Sequence, residues 1–278
     1  MTRGLRWVRG WVPPEAIRLF NHWTGRNSRL SGNYRSWEEA SRNADGYDAA
    51  AILDRAREAM LAIRDGRGAF VRDGVVFPEP NPPLPLLCGL MRVAACAGGH
   101  LRVLDFGGAL GSTYYQCRKF LQGLPSVRWQ VVEQPQFVAC GSEVFADGVL
   151  GFSSSISEAA HLTNPNVVVL SGVLQYLPNP VAVLEELGSL GAKAIIVDRT
   201  PIIVGSREVI AVQRVSSRIV RSSYPVRLFT RAGLLDPLNG RYQLLAEFDA
   251  VDGPAGGVLR RIEFKGFLLE AARPQASA

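Results

Sequence analysis

The amino-acid sequence predicts an α/β fold: a mostly parallel sheet with helices on both faces, an antiparallel hairpin at its C-terminal edge and a mostly helical cap in front of it. Three observations predict this. From residue 101 onward, short apolar strands alternate with helical stretches, the pattern that makes a parallel sheet covered on both faces. The first of those strands runs into a glycine-rich turn, Asp105-Phe106-Gly107-Gly108-Ala109-Leu110-Gly111. The chain then closes on two longer strands, 241–248 and 260–269, joined by a Gly/Pro turn at 252–257, and a turn of that kind pairs its strands antiparallel.

Taken in order, the sheet region reads as strands at 101–104, 129–133, 149–152, 166–170 and 194–198, with helices at 112–121, 137–146, 155–161 and 180–190 between them. Ahead of it, Ser36 with Glu39 three residues later forms a capping box opening a short helix. Residues 48–63 carry Ala51, Ile52, Ala56, Ala59, Met60 and Ile63 on one helical side. Residues 70–77 read as a hairpin about Asp73-Gly74, and a proline-rich connector at 78–85 leads to a helix at 86–97. The division expected is an N-terminal arm (1–30), a helical cap (31–98), the sheet domain (99–272) and a short tail (273–278). Within the sheet domain, 200–230 is long for a connection and is expected to be a lid-like insert.

Bulk properties narrow the function. The 278 residues carry a formal charge of +6, almost wholly as arginine, because lysine occurs only at Lys119, Lys193 and Lys265. Nothing in that balance calls for nucleic acid. Cys88, Cys96, Cys117 and Cys140 lack metal-ligand spacing, so no metal is expected and the thiols read as reduced, in a cytoplasmic protein. Residues 1–35, the arm and the start of the cap, hold seven arginines against one acid, Glu15, interleaved with Trp7, Trp11 and Trp23. Such a segment either packs on the sheet domain or lies on an anionic membrane surface, which would make the chain peripheral to the inner membrane. No apolar run approaches the roughly 18 residues of a spanning helix.

Ligands of open α/β sheets bind at the carboxyl ends of the strands, which selects the candidate residues. Glycines let a ligand lie against the main chain, so Gly107, Gly108, Ala109 and Gly111 form a cofactor turn. Asp105, just before it, would repel a pyrophosphate and suit an ammonium group. Glu133, at the tip of the second strand with Gln134 beside it, can accept both hydroxyls of a ribose. Tyr114 and Tyr176 are placed to meet a positive charge by cation–π contact, though each reads equally as a core tyrosine. Asp198 is the best-placed general base and Arg199 can clamp an anionic group, unless the two simply hold the strand-end loop. His22, His100 and His161 sit poorly for a base. Tyr47, Arg72, Asp73, Ser223 and Tyr224 are candidates for a polar acceptor pocket.

These residues resemble a bacterial family of S-adenosylmethionine (SAM)-dependent class I methyltransferases associated with lipopolysaccharide and O-antigen gene clusters. The resemblance is carried by Gly32-Asn33-Tyr34 with Trp37 and Ala40, Gly46-Tyr47-Asp48, Arg72-Asp73, and Asp105-Phe106-Gly107-Gly108 with Gly111 and Tyr114. It continues through Trp129 to Pro135, Ser171 with Leu174-Gln175-Tyr176, Asp198-Arg199-Thr200-Pro201 and Ser223-Tyr224-Pro225. Ala109 stands where the family's first motif has its middle glycine. The resemblance implies a seven-stranded Rossmann-like sheet, SAM as cofactor, Ser171 and Gly172 behind its methionine portion, and Gln175 and Tyr176 facing a saccharide or other small acceptor. A non-catalytic SAM-fold module of a polysaccharide-assembly complex is the alternative. A nicotinamide oxidoreductase is disfavoured by Asp105 and by the closing hairpin.

Overall fold

The structure, a computed structural model, describes residues 28–46, 49–215, 222–250, 255–257 and 260–272. Most of the basic arm, Tyr47, Asp48 and the tail lie outside the described residues. The first element is a strand, β1 (Ser28–Tyr34). It is followed by α1 (Trp37–Arg42), where the Ser36 hydroxyl accepts the Glu39 N–H at 3.2 Å and the Glu39 carboxylate accepts the Arg35 N–H at 2.8 Å, a near-reciprocal cap of the kind expected. Next come α2 (Ala49–Arg64), the hairpin β2 (Phe70–Arg72) and β3 (Val75–Phe77), and α3 (Leu84–Ala95). Asp73 (φ 50°) and Gly74 (φ 69°) are both left-handed, the backbone of a two-residue turn that matches the twist of its strands.

The sheet region follows as β4 (His100–Phe106), α4 (Ser112–Cys117), β5 (Ser126–Val132), α5 (Pro135–Val144), β6 (Leu150–Ser153), α6 (Ile156–Thr163), β7 (Val167–Ser171), α7 (Pro180–Gly188) and β8 (Ala194–Ile203). Two further strands, β9 (Val209–Val215) and β10 (Ser223–Leu228), precede α8 (Arg231–Leu235), β11 (Tyr242–Asp249), β12 (Ala255–Gly257) and β13 (Arg260–Ala271). The large sheet runs β11-β13-β8-β7-β4-β5-β6, with β12 paired to β13. Strands β8 to β6 are parallel, and β13 is antiparallel to both β8 and β11. The expected seven-stranded sheet with an inserted antiparallel last strand is therefore present.

Burial explains why the central strands are continuous apolar runs. Val167 to Leu170 are all fully buried, as a strand covered on both faces must be. Alternate residues feed opposite layers: Val103, Val169 and Ile196 meet Met60 and Leu90 of α2 and α3 on one face. Leu104, Leu170 and Val197 meet Leu184 and Leu234 of α7 and α8 on the other. That period of two holds β8 in register until Val197. There Phe267 faces Val197 and Lys265 faces Thr200, so Asp198 and Arg199 together oppose Gly266. This is a β-bulge, with Arg199 left-handed at φ 54°, and a bulge re-aims side chains.

The stretch 200–230, expected as a lid-like insert, is largely β-structure among its described residues. It holds β9 and β10, which join β1 in a second, antiparallel sheet of order β1-β9-β10. Ser28 faces Val215 and Ser31 faces Val212, a pairing between residues more than 180 positions apart. Val209, Ala211, Val226 and Leu228 give this sheet its own small core with Ile203 and Ile262. β1 escaped the sequence reading because Ser-Arg-Leu-Ser-Gly-Asn-Tyr has no apolar alternation; its partner supplies the strand. Among the described residues no helix is long and apolar enough to cross a membrane.

Candidate active site

The tips of β4, β5 and β7 and the bulge of β8 open on one cavity of about 860 Å³, within the roughly 300–1,000 Å³ of small-molecule sites. The cap and the small sheet form its other walls through Trp37, Arg55, Arg72, Gln213 and Tyr224. Gly107 (φ 73°), Ala109 (φ 50°) and Gly111 (φ 84°) are all left-handed in the turn after β4. The chain's own packing requires the glycines: a Cβ at Gly107 would overlap Val173, one at Gly108 would lie 2.5 Å from the Asp105 carboxylate, and one at Gly111 would lie 2.8 Å from Leu150. Ala109 adopts a backbone that costs an L-residue about 1–2 kcal/mol.

Glu133 locks this turn to the next strand. Its carboxylate accepts the Ala109 N–H at 3.3 Å and the Gln134 N–H at 2.8 Å. Burial raises its pKa, opposed by those two N–H groups. Asp105 lies beneath the turn, fully buried, with Oδ2 accepting the Trp129 indole N–H at 3.0 Å and Oδ1 without a hydrogen-bond partner. Burial pushes its carboxyl up to about 7, partly offset by the indole and reinforced by the charge of Glu133.

Of the residues expected around a cofactor, Gly107, Ala109, Glu133, Gln134, Ser171 and Gly172 line the cavity, whereas Asp105, Gly108, Gly111 and Tyr114 stand behind it. Tyr114 is buried against Trp129, ring centres 5.7 Å apart, and takes the core role of the two open to it. Of the residues expected around chemistry and acceptor, Asp198, Arg199, Tyr176, Arg72 and Tyr224 line the cavity. Gln175 is buried and donates to the Arg199 carbonyl at 3.4 Å. Ser223 is also buried, accepting the Asp45 N–H at 2.7 Å and donating to its carboxylate at 3.0 Å, so it ties β10 to the cap. Tyr47 lies outside the described residues. His100 and His161 are exposed and line no portion of the cavity.

The bulge shapes the β8 end of the cavity. Two consecutive residues of one strand, Asp198 and Arg199, face the same space; the Asp198 carboxylate accepts the Arg199 N–H at 2.8 Å, and the Arg199 guanidinium donates to both oxygens of Asp73 at 3.1 and 3.0 Å. Tyr176 and Tyr224 meet edge to face with centres 5.3 Å apart, and the Tyr176 hydroxyl donates to Gln213 at 3.3 Å. Trp37, Arg55, Gln116, Ser154 and Gln213 also line the cavity and were not singled out for the site; Asp73, one of the residues expected in the acceptor pocket, lines it too. Gln213 carried no signal, because its place depends on the small sheet. No group of side chains suited to a metal ion occurs among the described residues.

The large sheet joins five parallel strands to an inserted antiparallel last strand. No family model matches the chain, and no curated protein is similar to it. Among solved structures it is similar to the N-terminal domain of EvdMO1, crystallised in the presence of S-adenosylhomocysteine and D-fucose: 17% identity, 82% of this chain and 98% of that one, TM-score 0.46. CalS10, an amino pentose methyltransferase from Micromonospora echinaspora, shares 12% identity over 66% of this chain and 88% of its own, TM-score 0.41. The SAM-bound magnesium protoporphyrin IX methyltransferase of Synechocystis PCC 6803 shares 11% identity over 96% of both chains, TM-score 0.41. Similarity this low leaves the chemistry to the residues themselves.

Proposed function

We propose that the chain is a SAM-dependent methyltransferase acting on a small polar acceptor, a sugar or surface-polysaccharide precursor. The observation that carries this reading is Glu133. A carboxylate has about four lone-pair sites, and the two N–H groups it accepts leave it capacity for the two hydroxyls of a ribose. It does so at the strand tip beside a left-handed turn whose backbone lines the same cavity. Those residues fit a nucleoside: Glu133 and Gln134 at the ribose, the 107–109 backbone beneath it, and Ser171 and Gly172 toward the amino-acid end.

When bound, the cofactor supplies a methyl group on a positively charged sulfur. The chain's role is to orient an acceptor and take its proton. Asp198, buried at the β8 bulge and lining the cavity, would take the proton of an acceptor hydroxyl held there. Tyr176, Tyr224 and Trp37 offer ring faces and edges to the apolar face of a sugar, while Gln213 and Gln116 offer amides to its hydroxyls. The cap and small sheet keep bulk water from the reacting atoms.

Titration calorimetry tests the reading. S-adenosylhomocysteine is expected to bind and NAD is not, and Glu133→Ala is expected to weaken S-adenosylhomocysteine binding by roughly 10–100-fold. An unchanged affinity in that variant would remove Glu133 from the site, and NAD binding in place of S-adenosylhomocysteine would overturn the assignment.

A further inference from the structure

Resting on that reading, we infer that the acceptor carries an anionic group, a phosphate or a carboxylate on a sugar, and that this group docks on Arg199 in the place the Asp73 carboxylate now takes, with Arg72 in the same cavity wall. The order of the strands separates the two ends of the cavity. Glu133 stands at the end of β5 and the glycine turn follows β4, so a nucleoside lies over those strands; Ser171 and Gly172 end β7, and Arg199 stands one strand further on, on β8. Arg199 therefore faces the acceptor side.

The site is built for an anion. The bulge holds Arg199 in a left-handed backbone, fixed by the Asp198 carboxylate at its N–H and by Gln175 at its carbonyl. Its guanidinium lies over Gly172, where a Cβ would come within 3.4 Å of Nη1. Arg72 is buried in the same wall, its guanidinium carbon 5.3 Å from the centre of Phe70 and 6.0 Å from that of Phe77, rings that stack on each other at 4.6 Å. Arg55 completes the wall, donating to the Gly74 carbonyl at 3.2 Å. A planar guanidinium fork matches a carboxylate or phosphate, and one carboxylate already occupies it.

That carboxylate is the replaceable one. Asp73 sits on a two-residue turn with its side chain more than half exposed, whereas the Arg199 side chain is only 21% exposed. An arriving anion exchanges one carboxylate for another at Arg199 and releases Asp73 to water, so the desolvated partner is never left bare.

Calorimetry on the full chain decides the matter. S-adenosylhomocysteine and 5′-methylthioadenosine, which lacks the amino-acid carboxylate, are titrated first; glucose 1-phosphate, glucuronate and neutral glucose follow at saturating S-adenosylhomocysteine. At least one charged sugar is expected to bind where glucose does not. Arg199→Gln is expected to weaken it by about tenfold or more, and Asp73→Asn to tighten it by about threefold, with S-adenosylhomocysteine affinity unchanged in both. Opposite signs in the two variants exclude a general loss of folding. Binding of glucose as well as the charged sugars, or saturation by neither charged sugar, overturns the inference. So does loss of S-adenosylhomocysteine but not methylthioadenosine affinity in Arg199→Gln, which assigns the arginine to the cofactor's carboxylate. If wild type binds no S-adenosylhomocysteine, the methyltransferase reading falls by itself, and the sugar titrations on the free chain still decide this one.

Discussion

On the sheet side of the cavity, the turn after β4 is fixed by backbone: a strand ends, the turn goes left-handed, and the glycines are required by Val173, Asp105 and Leu150 packed against them. On the cap side, Gln213 and Tyr224 sit on the small sheet's own ladder, but the wall is joined to its neighbours by side-chain bonds between distant segments: Ser223 to Asp45, Arg199 to Asp73 and Tyr176 to Gln213. The expectation is that the first wall moves only with the sheet, while the second can loosen where one side-chain bond breaks. A fold that binds a common cofactor and a particular acceptor gains from that division, because only the acceptor wall needs to adapt.

The largest effect expected from breaking the sheet side lies at Asp105. Its carboxyl titrates near 7 in the folded chain against an ordinary 3.8, so the unfolded chain loses the proton first. The stability this group contributes is whole below about pH 4 and is lost as pH rises through about 7. Asp105→Asn removes that slope. Urea melts without cofactor should show the variant gaining on wild type between pH 4.5 and pH 8, by on the order of 4 kcal/mol at most, and a difference independent of pH would show the carboxyl is hydrated.

Gly107→Ala comes next, at roughly 2–4 kcal/mol of destabilisation, from the left-handed backbone and the overlap with Val173. The cap side should yield less. Ser223→Ala removes two bonds to Asp45 and is expected to cost about 1–2 kcal/mol, with amide exchange quickening in 37–46 and 223–228 while β4, β7 and β8 keep their protection. If Ser223→Ala loosens the large sheet as well, the two walls are one cooperative unit and the contrast fails.

The same contrast decides what was legible in the sequence. The large sheet was readable because its signals are local: apolar runs of strand length, a glycine turn at 107–111, capping pairs such as Ser36 with Glu39, and Asp73-Gly74 between two short strands. Glu133 followed from strand-end position, whereas Asp198, expected at the end of a strand over 194–198, lies midway along β8 at its bulge. The small sheet was not readable, because β1 and β9 become strands by pairing across most of the chain, and local composition is silent about a partner so far away. Tyr114 and Ser223 were read as ligand contacts because polarity in the sequence does not say whether a hydroxyl meets a ligand or another segment of the protein. Asp105 was read as touching the cofactor because nothing local foretells that Trp129 will cover it.

The extra residue in β8 has a consequence for how such a chain can change. Upstream and downstream of it the strand keeps the two-residue rhythm, but the phase is shifted by one. Deleting Arg199 would restore a plain strand, leave the pairing with β13 formally intact and turn Asp198 without its neighbour toward whichever face the rhythm dictates. A lineage could thus retain the whole architecture and lose its chemistry through one codon, or acquire it the same way.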